Sequence, residues 1–325
     1  MLGAACRSKG APCTEVEFIE DGLYTSAHIA LGRDGLPYVL ILDNTSVVFL
    51  HCDDSDCRKT TRKVLAEGVA PTSVALAEGG RSELPWISFR RKGSGDPPAA
   101  LQCRDEHCAA TTPSELITTE RRSCEDTVDL VRWKCDEPAC HSRSRSVIAE
   151  KIGKQAAVVE SKTGVWIFDR VTGGIAVRQC ATRCVEGKAL EVTGTAHLLT
   201  AMKTDDDGVW LAVLDDFGLR VAECRDRQCR ERAASPQEGS ANTLAMLDVA
   251  PDRSPVVFLS KPNRLIRCPA GPCTERRLDA GLIYGFAVPS DDRPLFVVDA
   301  GRRRLRVLRC TDPSCAATTA QAIEY

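Results

Sequence analysis

Cysteine is the residue type with the most evident chemistry in this chain of 325 residues, which contains seventeen of them. Sixteen form eight local pairs whose members are four to seven residues apart. The pairs are Cys6 and Cys13, Cys52 and Cys57, Cys103 and Cys108, Cys135 and Cys140, Cys180 and Cys184, Cys224 and Cys229, Cys268 and Cys273, and Cys310 and Cys315. Thiols at this spacing could close disulfides, bind zinc or remain reduced in a core.

Disulfides fit the spacing of these pairs best. Zinc sites are usually built from C-x2-C pairs that converge on one ion, whereas the first members of these pairs recur after 46, 51, 32, 45, 44, 44 and 42 residues. A short turn places its flanking residues opposite each other in antiparallel strands, within the Cα distance that a disulfide spans. We therefore predict eight disulfides, no metal at the cysteines, and an oxidising compartment, outside the cytoplasm.

Cys124 is the seventeenth cysteine and has no partner in this scheme. Its neighbours are polar, in the segment RRSCEDTVDL, which favours exposure over burial. An odd cysteine in a secreted chain is buried, free and reactive, or joined to another molecule. We predict that Cys124 is unpaired and exposed.

Aspartate recurs at the end of an apolar stretch, at Asp43, Asp169, Asp215 and Asp299. On one face of a repeat protein these carboxylates could bind a ligand, and Ca2+ is the cation that such a set would suit. The same side chains could instead accept backbone N–H groups in the turn that follows each stretch. We keep the four aspartates as ligand-binding candidates, while no cofactor is otherwise predicted.

Other polar residues give little indication of catalysis. The chain lacks H-E-x-x-H, G-x-S-x-G, P-loop and dinucleotide-binding motifs, so no catalytic residue is predicted. The five histidines share no register that would indicate a metal site. Two arginine clusters, RDRQCRER and GRRRLRVLR, could hold phosphate or acidic glycan, but we interpret them as the solvated faces of outer strands. The aspartates of TDDDGVW are interpreted as turn residues.

The elements that carry these residues repeat with a period near 44 residues. A complete unit holds four short strands separated by Gly, Asp, Asn and Pro, with no stretch of helical periodicity between them. The second strand is an unbroken apolar run, as in PYVLILD and VWLAVLD, which indicates cover on both faces. Without helices, neighbouring sheets must provide that cover, so we predict a β-propeller of seven or eight antiparallel blades, with seven favoured, in a single domain over 1–325.

Units such as GRDGLPYVLILD followed by VVFLHCDDSDC resemble the repeats of secreted bacterial β-propeller proteins, which have DG-x-P turns and C-x4-C hairpins. The resemblance covers essentially the whole chain and implies the fold. It implies no catalytic residue. The chain departs from the pattern at two shortened units, residues 1–22 and 119–152. Two cysteine pairs also differ in spacing, with C-x3-C at Cys180 and Cys184 and C-x6-C at Cys6 and Cys13.

Composition narrows the possible partners. A net charge of -2 gives no general attraction to nucleic acid, and no apolar run is long enough for membrane insertion.

We predict a secreted or cell-surface binding or structural module for a protein or glycan, with a carbohydrate-active hydrolase or lyase as the alternative. Its ligands are expected at the turns after the second strands. These turns cover residues 43–46, 90–97, 169–174, 215–218, 260–263 and 299–304.

Overall fold

The described residues contain only β-structure. The computed structural model describes residues 26–43, 45–69, 75–77, 84–89, 99–113, 115–121, 127–135, 143–153, 156–161, 163–188, 190–192, 195–204, 206, 208–235, 245–269, 272–300 and 305–323. Within these ranges twenty-eight strands form seven antiparallel sheets, and there is no helix. Consequently no described segment is a helix that could cross a bilayer. The prediction of an all-β, antiparallel fold is confirmed.

The first three sheets are formed in chain order. Sheet 1 comprises β1 Ser26–Leu31, β2 Pro37–Asp43, β3 Ser46–Cys52 and β4 Thr60–Ala66. Sheet 2 comprises β5 Ala75–Ala77, β6 Trp86–Phe89, β7 Ala99–Cys103 and β8 Thr111–Pro113. Sheet 3 has three strands, β9 Glu115–Arg121, β10 Thr127–Cys135 and β11 Arg143–Gly153.

The remaining four sheets follow the same order. Sheet 4 comprises β12 Ala157–Ser161, β13 Gly164–Val171, β14 Gly174–Cys180 and β15 Cys184–Glu186, with the short β16 Leu190–Glu191 also paired to β14. Sheet 5 comprises β17 Leu198–Lys203, β18 Val209–Asp215, β19 Gly218–Arg225 and β20 Gln228–Ser235. Sheet 6 comprises β21 Ala245–Val249, β22 Pro255–Leu259, β23 Arg264–Arg267 and β24 Thr274–Arg277. Sheet 7 comprises β25 Ile283–Ala287, β26 Leu295–Asp299, β27 Leu305–Cys310 and β28 Thr318–Ile323.

The second strands are the buried centre of the sheets, as their apolar sequences predict. All seven residues of β18 and the first six of β2 are buried. Trp166 in β13 and Trp210 in β18 are 1% and 9% exposed, so both pack between sheets. The fourth strands are polar and mostly exposed, as in β24. This gradient from apolar second strand to polar fourth strand places the core between the sheets.

The sheets pack side by side and the last returns to the first. One apolar cluster joins sheet 7 to sheet 1, where Val297 and Val307 pack with Val39 and Leu50. The first strands contact one another, including β17 with β21 and β25 with β1. This radial packing around the first strands is that of a β-propeller.

Sheet 3 differs from its expected extent. The sequence indicated only a hairpin in this shortened unit, with residues up to 118 assigned to the unit before it. In the structure β9 pairs with β10 from Glu115 to Arg121, so the third sheet begins before residue 119 and has a third strand. The physical reason is that β10 and β11 extend over nine and eleven residues, which offers a full edge for β9 to pair with.

Six of the predicted disulfides lie in the described residues and all six are formed. They are Cys52–Cys57, Cys103–Cys108, Cys180–Cys184, Cys224–Cys229, Cys268–Cys273 and Cys310–Cys315. Cys6, Cys13, Cys124 and Cys140 lie outside the described residues. The pairs of Cys6 with Cys13 and of Cys135 with Cys140, and the unpaired state of Cys124, stay predictions.

Candidate functional site

The antiparallel order of strands gives the molecule two distinct faces. The turns between first and second strands lie on the same side as the cysteine hairpins between third and fourth strands, and we call this side the hairpin face. Asp43, at the end of β2, lies at the other end of its sheet together with the β2–β3 turn. We call that side the aspartate face.

A cavity of about 460 Å³ opens on the hairpin face. It lies where the ends of β1, β17 and β21 approach one another, and the β17–β18 turn, the end of β19 and the β21–β22 turn complete its wall. Its lining residues are Leu31, Met202, Lys203, Thr204, Asp206, Trp210, Glu223, Arg225, Asp248, Val249, Ala250, Pro251 and Arg253. The cavity therefore combines residues from sheets 1, 5 and 6.

Asp206 is the centre of the polar wall of this cavity. One carboxylate oxygen accepts a hydrogen bond from the Thr204 hydroxyl at 2.5 Å, and the other accepts from Arg225 at 2.7 Å and from Arg253 at 3.3 Å. The turn that carries Asp206 is closed by the Thr204 N–H, which donates to the Gly208 carbonyl at 2.8 Å. A Cβ at position 208 would lie 2.9 Å from the Thr204 hydroxyl, so glycine leaves room for the network.

Glu223 extends the network towards the outer strand. Its two carboxylate oxygens accept from Arg225 Nε at 2.6 Å and from Arg232, whose closer nitrogen is also at 2.6 Å. Arg225 is thus held between Glu223 and Asp206, which fixes its guanidinium at the cavity wall. Charge-assisted pairs of this kind orient a side chain as well as stabilise it.

Two carboxylates of the cavity, those of Asp206 and Glu223, are held in the ionised state. Hydrogen bonds from Thr204 and Arg225 lower the pKa of Asp206 to about 2. Burial alone would raise the pKa of Glu223, but hydrogen bonds from Arg225 and Arg232 outweigh it and lower the pKa. A general acid for glycoside cleavage needs the opposite shift, a raised pKa. These two carboxylates are therefore suited to accept hydrogen bonds and not to donate a proton.

Part of the cavity wall is apolar. Met202 and Trp210 face each other in register across β17 and β18, and Leu31 and Pro251 add further apolar surface. Arg253 is the most exposed cation of the wall, with its side chain 75% exposed. The cavity can therefore offer fixed donors, fixed acceptors and an apolar patch to one small polar molecule, which is the composition of a small-ligand site.

The four aspartates singled out from the sequence lie on the other face and have different surroundings. The Asp215 side chain is fully buried and accepts from the Phe217 and Gly218 N–H groups at 2.8 and 3.0 Å, as a turn residue would. Asp169 accepts from Gly153 N–H in the preceding sheet at 2.9 Å. The two remaining aspartates are more open to solvent.

Asp43 is partly buried and Asp299 is exposed. None of the four lines the described cavity. A role in ligand binding stays a prediction for all four, most directly for Asp43 and Asp299.

Several residues of the hairpin face were assigned differently from sequence. The clusters around Arg225 and Arg309 were interpreted as solvated strands. Arg225 is exposed, as this interpretation expects, whereas Arg309 is 5% exposed and binds Asp291 and Asp56. Both arginines face carboxylates of the first-to-second-strand turns. The signal that could have found them is a repeated acid in that turn with a charged residue at the end of the third strand. It occurs as Asp206 with Arg225, Asp252 with Arg267, and Asp291 with Arg309.

No known family model and no curated protein matches this sequence. Solved structures match the fold at low identity. A Bacteroides uniformis protein with a provisional assignment as a 6-phosphogluconolactonase has a TM-score of 0.59 at 10% identity, covering 92% of this chain and 97% of its own. The β-propeller domain of Myceliophteria thermophila Cps50 (Swd1) has a TM-score of 0.52 at 10% identity, covering 95% and 100%.

The lectin of Aleuria aurantia is a third similar structure. It has a six-bladed β-propeller fold with a novel mode of fucose recognition, and its TM-score is 0.50 at 9% identity, covering 92% of this chain and 95% of its own. At such identities the likeness extends to the fold alone. The expected β-propeller fold is thus supported both by the packing of the sheets and by these structures.

Proposed function

We propose that this protein is an extracellular binding module that holds a glycan in the cavity of the hairpin face and catalyses no reaction. The observation that carries the proposal is the wall of the cavity, where Asp206, Glu223 and Arg225 hold one another in fixed positions beside Trp210 and Met202. Sugars present hydroxyl groups that donate and accept hydrogen bonds, together with apolar C–H faces. The cavity offers a counterpart for each.

The extracellular location rests on the disulfides. Bonds of this kind persist in oxidising environments and are rare in the cytoplasm. Glycan binding is also compatible with the fold, since a fucose-specific lectin of Aleuria aurantia is among the similar structures. Rigidity of the hairpins would keep the turns that form the cavity in place, and binding then requires little ordering of the protein.

The experiment begins with a glycan array to identify a ligand and continues with calorimetric titration of that sugar. Arg225→Met and Asp206→Asn should each weaken binding about tenfold or more, because each removes a charge-assisted hydrogen bond. Arg230→Met is the matched control, since Arg230 is an exposed residue of the neighbouring strand that does not line the cavity. Thermal unfolding of each variant shows whether it is folded.

The aspartate face provides the competing site in the same experiment. A double variant of Asp43→Asn and Asp299→Asn changes the more exposed of the predicted ligand-binding aspartates. If this variant loses the sugar while Arg225→Met retains it, the site lies on the aspartate face. If only a protein partner is captured and no glycan binds, the glycan assignment fails.

The absence of catalysis is tested with the same ligand. Lowered pKa values for Asp206 and Glu223 speak against a hydrolase or lyase that needs a protonated acid in this cavity. Incubation of the bound glycan with the protein should release no new reducing end and no unsaturated product. Turnover that is lost in Asp206→Asn would make the protein the carbohydrate-active enzyme of the alternative.

We also propose that the seven sheets are the seven blades of the propeller and that sheet 3 is a blade of three strands. Packing of sheet 7 on sheet 1 supports a ring of this number. An experimental density map viewed along the central axis tests it directly. A map with eight blades would contradict the proposal, because a further blade would have to separate sheets 7 and 1.

A further inference from the structure

Two histidines meet on the hairpin face between sheets 1 and 2, away from the cavity. His51 ends β3 just before Cys52, and His107 lies in the hairpin of sheet 2 just before Cys108. Their ring centroids are 4.5 Å apart with the rings nearly perpendicular. Asp53 completes a group whose nitrogen and oxygen ligand atoms all lie within 4.8 Å of one another.

His51 is held in a fixed orientation within this group. It is buried, at 2% exposed, and its Nε2 lies 2.8 Å from a carboxylate oxygen of Asp34. Its Nδ1 lies 3.1 Å from Asp53 Oδ1. In metal sites a histidine ligand usually donates its second ring N–H to a carboxylate, which fixes the ring and its tautomer. Asp34 is placed to accept such a bond from Nε2, while Nδ1 faces Asp53.

The residue pair at the junction of sheets 1 and 2 differs from the equivalent pair at the junction of sheets 7 and 1. Arg309 occupies in sheet 7 the place of His51 in sheet 1, and Asp56 occupies in the first hairpin the place of His107 in the second. Arg309 donates to Asp56 at 3.2 Å, so an ion pair joins sheets 7 and 1. At the equivalent junction of sheets 1 and 2 the two residues are both histidines. Two imidazoles do not form an ion pair, whereas both can bind one cation.

We propose that His51, Asp53 and His107 bind a divalent metal ion of the zinc class, which joins sheet 1 to sheet 2. Two imidazole nitrogens and one carboxylate oxygen suit Zn2+ and other divalent transition metals, whereas Ca2+ takes oxygen ligands. Three protein ligands leave a coordination position for water. The site is independent of the cavity and of the proposed glycan binding.

The group can contract to metal-binding distances without disturbing the core. Ligands of tetrahedral zinc are about 3.4 Å from one another, given bond lengths of about 2.0 to 2.2 Å. Asp53 and His107 are exposed and lie on hairpin loops, so their side chains can rotate towards the fixed ring of His51. Tyr38 does not compete as a ligand, because its hydroxyl donates to Glu106 and burial raises its pKa.

Zinc binding is measured by calorimetry on the oxidised, chelator-stripped protein without a polyhistidine tag. Reductant is omitted because free thiolates of the hairpins would themselves bind zinc. We expect one Zn2+ per chain and a rise in the unfolding temperature. Co2+ in place of Zn2+ should give the absorption of a low-symmetry four- or five-coordinate site, and excess Ca2+ should not displace either ion.

Variants locate the site. His107→Ala and Asp53→Asn should weaken zinc binding about tenfold or more, and both change exposed side chains, so the fold should be retained. His197→Ala is the matched control, since His197 also lies 2.6 Å from a carboxylate, of Asp216, but has no second histidine beside it in the described residues. Equal zinc affinity in the wild type and in His107→Ala would overturn the proposal, as would a wild-type protein that binds no zinc at micromolar concentration.

Discussion

Hydrogen-bond donors beside several carboxylates of the hairpin face lower the pKa values of those carboxylates. Asp206 has a pKa of about 2 because Thr204 and Arg225 donate to it. A carboxylate whose folded pKa is depressed contributes stability that is present above its unfolded pKa, near 3.8, and is lost as pH falls through the folded value. Such a group stays charged throughout the range in which the protein would meet a ligand.

We therefore predict how acid affects the cavity. The free energy of unfolding of the wild type should lose the contribution of Asp206 only as the pH falls from about 4 to about 2. Asp206→Asn should lack this part of the acid dependence, and glycan affinity of the wild type should be constant from neutral pH to about 4. Urea unfolding at a series of pH values measures the first quantity and titration calorimetry the second. Loss of affinity near pH 6 would show that another group controls binding.

At the scale of the element, the cysteine hairpins of sheets 1, 2, 5 and 7 are of two kinds. In sheets 1, 2 and 7 the loop reads C-x-D-x-x-C, and the aspartates Asp54, Asp105 and Asp312 accept N–H groups from the far side of the turn. The second cysteine then has a positive φ, between 51° and 57°. In sheet 5 the strands instead continue to a two-residue turn, where Asp226 and Arg227 have φ of 50° and 62°. Asp226 occupies the same third position in the loop of sheet 5, so the first kind is distinguished by the left-handed second cysteine, and its aspartate holds the loop by accepting N–H groups.

Replacement of Asp54 tests whether the aspartate stabilises the hairpin loop by accepting these N–H groups. Its carboxylate accepts from the N–H groups of Asp56, Arg58 and Lys59 at 3.0 Å each. Asp54→Ala should lower the free energy of unfolding by about 1 kcal/mol, since water replaces only part of these bonds. Ser55→Ala, in the same loop, is the control and should have no measurable effect. Chemical denaturation with the disulfides intact measures both, and equal stability of the two variants would contradict the capping role.

At the scale of the molecule, closure depends on the contact between sheet 7 and sheet 1. Arg309 of sheet 7 donates to the Ser55 carbonyl and to Asp56 in the first hairpin, so the two ends of the described chain are joined at the rim. At the centre β25 approaches β1 so closely that a Cβ at position 285 would lie 2.8 Å from the Ile29 nitrogen. Glycine is required there because backbone atoms cannot move aside cheaply.

Gly285→Ala should therefore lower the free energy of unfolding by about 2 kcal/mol, as overpacking does. Gly281→Ala is a matched control four residues earlier, where the nearest atom to an added Cβ is 3.4 Å away, and it should change stability by less than about 0.5 kcal/mol. Thermal and urea unfolding compare the two. If both variants are equally stable, β25 and β1 do not pack as closely as described.

The sequence by itself determined the features that depend on neighbours along the chain. Strand order, the buried second strands and the pairing of Cys52 with Cys57 follow from spacing within one unit, because turns and hairpins bring together residues only a few positions apart. The unbroken apolar runs also implied sheets packed on both faces, since no helix was available to cover them. These features of the fold were correctly predicted.

Only the tertiary structure decided which units meet and which side chains they bring together. Asp206 and Arg253 are 47 residues apart, and Arg309 and Asp56 are 253 residues apart. His51 and His107 likewise come from different units. Contacts of this kind depend on the angle and offset at which one sheet packs on the next, and those depend on the shapes of many core side chains at once. For that reason the contact of Arg309 with Asp56, the cavity and the histidine pair could not be predicted from a pattern within one repeat.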